Sequence, residues 1–177
     1  MDDVIEQLAA AWIEYLNDRY GTETTLADAR DWDISLAFPT LTKEQVFAAE
    51  RDDAIWDRCL PMPGAVDALR RLMEDGHDVY IVTATIYHSL RAKMEKVLFR
   101  YFPYINWDHV IITSHKQMIK GDVLIDDAPH NLAGGDYHKI LFEAGHNLNF
   151  DAASIGAVRV RTWDEAYAEI CRLDASR

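Results

Sequence analysis

The chain has 177 residues, of which 49% are hydrophobic and 27% charged, as in one globular domain or one domain with an inserted subdomain. Its 30 acidic residues outnumber its 18 lysines and arginines, and the formal charge of −12 argues against a nucleic-acid polymer as partner. No apolar run approaches the roughly 18 residues of a membrane span, and the start lacks the basic and apolar character of a signal peptide. The two cysteines are far apart in the chain and indicate a reducing compartment, so we expect a cytoplasmic protein.

The first 60 residues carry helical patterns only. Apolar residues recur at helical spacing and predict a helix over Val4–Tyr20. A shorter helix is predicted over Lys43–Arg51, where Thr42 and Gln45 have the spacing of a capping box. No strand pattern interrupts this part of the chain, which indicates a small helical unit.

From residue 61 onward, helix and strand patterns alternate. The sequence PMPG at residues 61–64 contains two prolines and a glycine, which interrupt helices and strands, and it indicates the return to the main domain. The predicted helices are Ala65–Asp75, Ser89–Tyr101 and Trp163–Leu173, and the predicted strands are Val79–Val82, Val110–Thr113, Val123–Asp126, Lys139–Phe142 and, at an edge, Val158–Val160. This alternation implies an α/β fold with a Rossmann-like parallel sheet and helices on both faces. We therefore expect a core domain of residues 1–16 and 61–177, with residues 17–60 inserted as a helical cap after the first helix.

Two adjacent acids follow the most strongly apolar of the predicted strands. Val123, Leu124 and Ile125 form a continuous aliphatic run, as in a buried parallel strand, and the run ends in Asp126 and Asp127. The carboxyl ends of parallel strands are where open α/β sheets hold ligands. Neighbouring carboxylates repel, and a hard divalent cation relieves that repulsion. The simpler alternative is an aspartate that caps the next helix.

Groups that can bind phosphate follow two other strands. Thr83 directly follows a β-branched strand, and its hydroxyl together with the next amide, that of Ala84, can hold a phosphate oxygen. Lys116 lies just past the strand that ends at Thr113, with Lys120 as a rival one turn later. Each group alone has an ordinary explanation as a cap or a solvated surface residue. Together with the acid pair, they predict a phosphoryl-transfer site.

Several segments resemble the haloacid dehalogenase-like phosphohydrolases, and more closely their 5′(3′)-deoxyribonucleotidase branch with its bacterial 5′-nucleotidases. The segments are MDDV at the start, PMPGA, IVTA, SHKQMIKGDVLIDDAPHN and TWDEAY. The resemblance covers nearly the whole chain and implies hydrolysis of nucleoside monophosphates with Mg²⁺ through an aspartyl-phosphate. It also implies that Thr83 binds phosphate, Lys116 neutralises the aspartyl-phosphate, Asp126 ligates Mg²⁺, and Asp127 tunes the metal shell or the lysine.

The first motif of that family departs from its usual pattern here. It normally reads as an apolar strand followed by Asp-x-Asp, the first aspartate being the nucleophile and the second the general acid/base. In this chain Met1 stands at the x position, so the resemblance gives Asp2 the acid/base role and a metal contact. It places the nucleophile immediately before Met1, at the end of a strand expected between those that end at Thr83 and Asp126. We therefore expect the 177 residues alone to lack phosphatase activity, and expect activity and melting temperature to rise together when that strand is added.

The predicted cap offers substrate contacts as well. Trp32 and Trp56 are candidates for stacking on a base, with the alternative that they form the core of the cap. Seven histidines show no zinc-site spacing. Rival functions are a phosphatase for another small phosphoester, such as a sugar phosphate, and an inactive member that binds a nucleotide or a protein partner. The base, the sugar and the oligomeric state, with a homodimer as one option, stay open.

Overall fold

Five short parallel strands form the structural centre of the molecule. The computed structural model describes residues 1–176. The strands are β1 Ile81–Thr83, β2 Val110–Ile112, β3 Val123–Asp126, β4 His138–Phe142 and β5 Ala157–Val160. They pair in two parallel groups, β1–β2 and β3–β4–β5, so β5 lies at an edge as predicted. The predicted mixed α/β architecture with parallel pairing is confirmed.

Helices connect these strands and flank them. They are α1 Leu8–Tyr20, α2 Lys43–Ala48, α3 Asp53–Arg58, α4 Ala65–Glu74, α5 Leu90–Lys93, α6 Phe99–Tyr101, α7 Pro129–Leu132 and α8 Trp163–Asp174. Short 3₁₀ turns include Ile34–Ala37, Lys116–Met118 and Gly145–Asn147. No helix within residues 1–176 is both long enough and apolar enough to cross a membrane.

The first helix begins later than its apolar pattern predicts. It starts at Leu8 rather than Val4, because the residues before it pair with a distant segment. Met62 donates its N–H to the Ile5 carbonyl at 2.8 Å, and Glu6 and Pro61 form an antiparallel bridge. Since the partner is 55 residues away, local spacing could not reveal this contact. The chain therefore forms a turn over Asp3–Ile5 instead of a first helical turn.

The segment of residues 17–60 is helical, as predicted. The capping box of Thr42 and Gln45 is present at the start of α2. Helix α3 was not predicted, and its N-terminal cap is Asp52, whose side chain accepts from the Ala54 N–H at 3.0 Å. Buried side chains of this segment join the same apolar core as α1 and α4. The division into a cap and a core domain stays a prediction.

The predicted helix over Ser89–Tyr101 is present but changes its winding. It runs as α5, continues as a π-helical turn over Met94–Leu98 and ends as α6. A π turn shifts the side chains that follow it relative to those before it, and such turns are frequent at functional sites. Lys93 is the last residue before this change.

The carboxyl ends of β1 and β3 are close to the N-terminal turn. Asp2 forms an ion pair with Lys93, and its Oδ2 lies 3.5 Å from the hydroxyl of Thr83, the last residue of β1. In register, Thr83 pairs with Ile112 and Asp126 pairs with Leu141. No strand within residues 1–176 joins the two groups of strands. The turn and the strand ends define the edge of the fold on which the candidate site lies.

Candidate active site

The end of β3 holds a buried pair of opposite charges. Asp126 is 1% exposed, and the Lys116 Nζ lies 2.5 Å from its Oδ2. Its other oxygen accepts hydrogen bonds from the Ala128 N–H and the Asn131 Nδ2, both at 2.9 Å. Burial is the largest single influence and would raise the pKa of Asp126, but the charges of Lys116 and the N-terminus and the hydrogen bonds from Lys116 and Asn131 together outweigh it, so the pKa is lowered. Lys116, preferred in sequence to Lys120, is the lysine that reaches this acid.

Asp127 has a different environment from that of its neighbour. It is buried, and burial together with the Asp126 charge raises its pKa well above the usual value. The His146 Nε2 lies 3.3 Å from the Asp127 Oδ2. The Asn147 Nδ2 donates to the Asp127 carbonyl at 2.7 Å, and Arg159 donates to Asn147 at 2.8 Å. Asp127 is therefore held in place by the loop after β4.

The end of β1 carries the second group of polar side chains. Thr83 is fully buried and its Oγ1 accepts from the Lys93 Nζ at 2.9 Å. The same ammonium lies 2.5 Å from the Asp2 Oδ1. Burial is the largest single influence and would raise the pKa of Asp2, but the Lys93 charge, the N-terminal charge and side-chain hydrogen bonds together outweigh it, and the net shift is downward. Asp2 is thus an ionised carboxylate beside the predicted phosphate-binding threonine.

A cavity of about 580 Å³ opens over both strand ends. Its lining includes a charged side, by which we mean Asp2, Ala84, Lys116 and Asp127, whereas Thr83 and Asp126 are not part of the lining. It also includes an apolar side, by which we mean Leu8, Trp12, Leu26, Ala29, Trp32, Ile34 and Phe47. The cavity therefore brings together charged groups that suit a phosphate and apolar groups that suit an aromatic ring.

The two candidate tryptophans take different positions. Trp32 is 58% exposed, lines the cavity, and meets the rings of His130 and His146 edge-on at centroid distances of 5.0 and 5.1 Å. Trp56 is 1% exposed and lies in the core, outside the cavity lining. The prediction that Trp56 contacts substrate is therefore wrong, because α3 turns this ring inward. The alternative, a core residue, is correct for Trp56.

Sequence reasoning missed Lys93, which the structure places at the centre of the β1 end. A signal was present: Lys93 is three residues after Leu90 and four before Val97, so it falls on the apolar stripe of its helix. A lysine on such a stripe needs a buried partner. No sequence pattern pointed to His146 and Asn147, because they lie in the loop after β4 and contact Asp127 only in the folded chain.

The acids at the end of β3 have the chemistry of a hard-cation site. Carboxylate oxygens are the ligands that Mg²⁺ prefers, and Mg²⁺ commonly takes only one or two of them, with water and phosphate oxygens completing its shell. Within residues 1–176 no group of three or more histidines, cysteines or acids is gathered closely enough to hold a metal by itself. Asp126 and Asp127 thus fit the ion as a partial ligand set.

Comparisons with known proteins identify the family of the chain. A family model described as 5′ nucleotidase, deoxy (pyrimidine), cytosolic type C matches residues 1–176. A 5′(3′)-deoxyribonucleotidase of Bacillus subtilis is 34% identical over 167 residues, which cover 93% of this chain and 92% of the relative. A 5′(3′)-deoxyribonucleotidase of Clostridium acetobutylicum is 29% identical over 168 residues, covering 95% and 90%. The predicted resemblance is confirmed: the chain belongs to the deoxy (pyrimidine) cytosolic type C 5′-nucleotidase family, a haloacid dehalogenase-like family of phosphoric monoester hydrolases.

Proposed function

We propose that the protein is a cytoplasmic, Mg²⁺-dependent 5′-nucleotidase that hydrolyses (deoxy)ribonucleoside monophosphates. The observation that carries the proposal is the two-sided cavity. Asp2, Lys116 and Asp127 lie on its charged side, and Trp32 and Phe47 lie on its apolar side. A nucleoside monophosphate has the matching division, with a dianionic phosphate at one end and a planar base at the other.

On the charged side, each residue has a role that follows from its contacts. The Thr83 hydroxyl and the Ala84 amide hold phosphate oxygens at the end of β1. Lys116 brings a buried positive charge to the phosphoryl group, where electrostatic stabilisation is strongest because water is excluded. Asp126 keeps Lys116 in place through their 2.5 Å contact.

The proposed Mg²⁺ would be held by Asp126 and Asp127, with Asp2 as a further oxygen ligand. When bound, the ion neutralises phosphate charge and so favours attack on phosphorus. The raised pKa of Asp127 results from burial and from the charge of Asp126, and a cation beside both acids would oppose that shift. Asp126 and Asp127 would therefore hold the ion, which would supply a further positive charge to the site.

Proton transfer is the role proposed for Asp2. Its ionised carboxylate suits the removal of a proton from the water that attacks the aspartyl-phosphate in the second half of the reaction. The aspartyl-phosphate itself stays a prediction, because its nucleophile is expected at the position before Met1. On the apolar side, Trp32 is proposed to contact the base.

A substrate panel tests the proposal. The full-length protein, by which we mean the chain extended by the strand and aspartate expected before Met1, would be incubated with 5′- and 3′-deoxyribonucleoside monophosphates, ribonucleoside monophosphates, a sugar phosphate and p-nitrophenyl phosphate, with Mg²⁺ and with a chelator. We expect kcat/KM for at least one nucleotide to exceed that for the sugar phosphate by tenfold or more, and expect the chelator to abolish turnover. A preference for the sugar phosphate, or undiminished turnover with chelator, would contradict the proposal.

A further inference from the structure

We propose that Lys93 is a positioning residue of this site: it fixes the Asp2 carboxylate and the Thr83 hydroxyl relative to each other. The inference rests on the proposed function, since Asp2 and Thr83 are its proton-transfer and phosphate-binding groups. Lys93 is 1% exposed. A buried ammonium is unfavourable unless it is paired and hydrogen-bonded, so the partners of Lys93 indicate its structural role.

The partners of the Lys93 ammonium all belong to the predicted site. Its Nζ lies 2.5 Å from the Asp2 Oδ1, 2.9 Å from the Thr83 Oγ1 and 3.4 Å from the Ala84 carbonyl oxygen. The contact with Asp2 is an ion pair, whereas those with Thr83 and Ala84 are hydrogen bonds. The Asp2 carboxylate and the end of β1 are therefore connected through this one cation.

The contact with Thr83 also determines where that hydroxyl can donate. Because the Thr83 Oγ1 accepts a hydrogen bond from Lys93, its own hydrogen must point to another acceptor. The acceptors at hand are the Ala84 carbonyl at 3.3 Å and the Asp2 Oδ2 at 3.5 Å, both beyond the usual distance of about 2.7–2.8 Å for a hydroxyl donor. A phosphate oxygen is a better acceptor than either, so Lys93 leaves the hydroxyl ready to donate to phosphate.

Two further contacts anchor the helix that carries Lys93. Lys93 ends α5, directly before the π-helical turn Met94–Leu98. Its ammonium lies 5.5 Å from the centre of the buried Trp56 ring, within range of a cation–π contact. At the start of the same helix the Ser89 hydroxyl donates to the Glu50 carbonyl at 2.5 Å. The Trp56 ring therefore packs near the Lys93 ammonium, outside the cavity lining, and does not offer a surface to substrate.

The experiment compares Lys93→Met with a matched control, Lys96→Met, both in the full-length protein. Lys96 is one turn further along, and its Nζ pairs with Asp57 at 2.8 Å and the Asp53 carbonyl at 3.1 Å, away from the cavity. We expect Lys93→Met to lower kcat at least 100-fold and to weaken binding of inorganic phosphate about tenfold. Lys96→Met should change neither value more than twofold. Lys93→Met with both values within twofold of the original protein would overturn the proposal.

Lys93→Arg covers the case in which the methionine variant does not fold. Arginine keeps the charge but not the compact set of three donors, because its donors lie in a planar fork. We expect its kcat and its phosphate affinity to fall between those of Lys93→Met and the original protein. If Lys93→Met does not fold, we expect both values for Lys93→Arg to be at least threefold below those of the original protein. Full recovery of both would show that charge alone suffices and would overturn the positioning role.

A double-mutant cycle with Thr83→Val separates positioning from independent binding. If Lys93 acts through the Thr83 hydroxyl, the loss of phosphate affinity in Lys93→Met/Thr83→Val should be smaller than the product of the two single losses. Losses that multiply would overturn the proposal. Because calorimetric titration with inorganic phosphate requires no turnover, this result holds even if no nucleotide is hydrolysed. Failure of the proposed function and failure of this inference are thus distinguishable.

Discussion

The two sides of the cavity are built in different ways. On the charged side, Lys116 and Asp126 are buried in mutual contact, and each carboxylate oxygen of Asp126 has a partner. On the apolar side, Trp32 is more than half exposed and lies edge-on to the rings of two histidines. Preorganised buried charges are worth most to catalysis, whereas an exposed aromatic surface adds binding. We therefore expect changes on the charged side to alter kcat and changes on the apolar side to alter KM.

The largest effect is expected from Asp126→Asn in the full-length protein. Loss of a proposed metal ligand should lower Mg²⁺-dependent kcat by more than about 100-fold, the upper range for residues that merely support a ligand. It also leaves the buried Lys116 charge without its anion, which costs up to about 3–5 kcal/mol of stability. Activity assays and denaturant unfolding measure the two effects.

The double variant Asp126→Asn/Lys116→Met separates these effects. It removes both charges, so stability should recover while activity stays lost. Undiminished turnover in Asp126→Asn would remove Asp126 from the metal site. A double variant as unstable as the single one would show that the ion pair is not what stabilises the end of β3.

The second prediction compares two lysines of the same loop. Lys116→Ala should lower kcat by about 10²–10³-fold, as expected for loss of a buried group that stabilises transition-state charge. Lys120→Ala is the matched control, since Lys120 is exposed. Steady-state kinetics of both variants decide the assignment. A near-normal Lys116→Ala with an inactive Lys120→Ala would reverse it.

The two tryptophans sharpen the comparison, because one belongs to the apolar side and the other to the core. Trp32→Ala should raise KM for a nucleotide by the equivalent of about 1–3 kcal/mol of stacking. KM for p-nitrophenyl phosphate should change less. Trp56→Ala should instead lower the free energy of unfolding by about 3–5 kcal/mol, as for a large core side chain. Equal losses on both substrates in Trp32→Ala would exclude a base contact.

The sequence predicted features that depend on neighbouring residues better than features that depend on distant contacts. The end of β3 was predicted to the residue, because an apolar run and the acids after it are contiguous in the chain. Lys93 was missed, and the sequence left the core position of Trp56 as one of two alternatives, since each depends on how a helix packs against distant segments. The start of α1 was misplaced for the same reason, a pairing of Ile5 with Met62. Local patterns thus located the strand ends, and non-local packing determined what surrounds them.

The smallest effect is expected from a substitution at Gly145, which precedes His146 and packs against Ala29 of the apolar side. A Cβ atom at this position would lie 2.5 Å from the Ala29 carbonyl oxygen, so Gly145→Ala must push that backbone away. Such overpacking costs about 1–3 kcal/mol. Because Ala29 and Gly145 both line the cavity, we expect KM for nucleotides to rise a few-fold with kcat nearly unchanged. Gly121→Ala is the matched control, as its Cβ would meet nothing within 4 Å. If Gly145→Ala instead lowered kcat tenfold with KM unchanged, the apolar side would take part in the chemical step and the division between the two sides would fail.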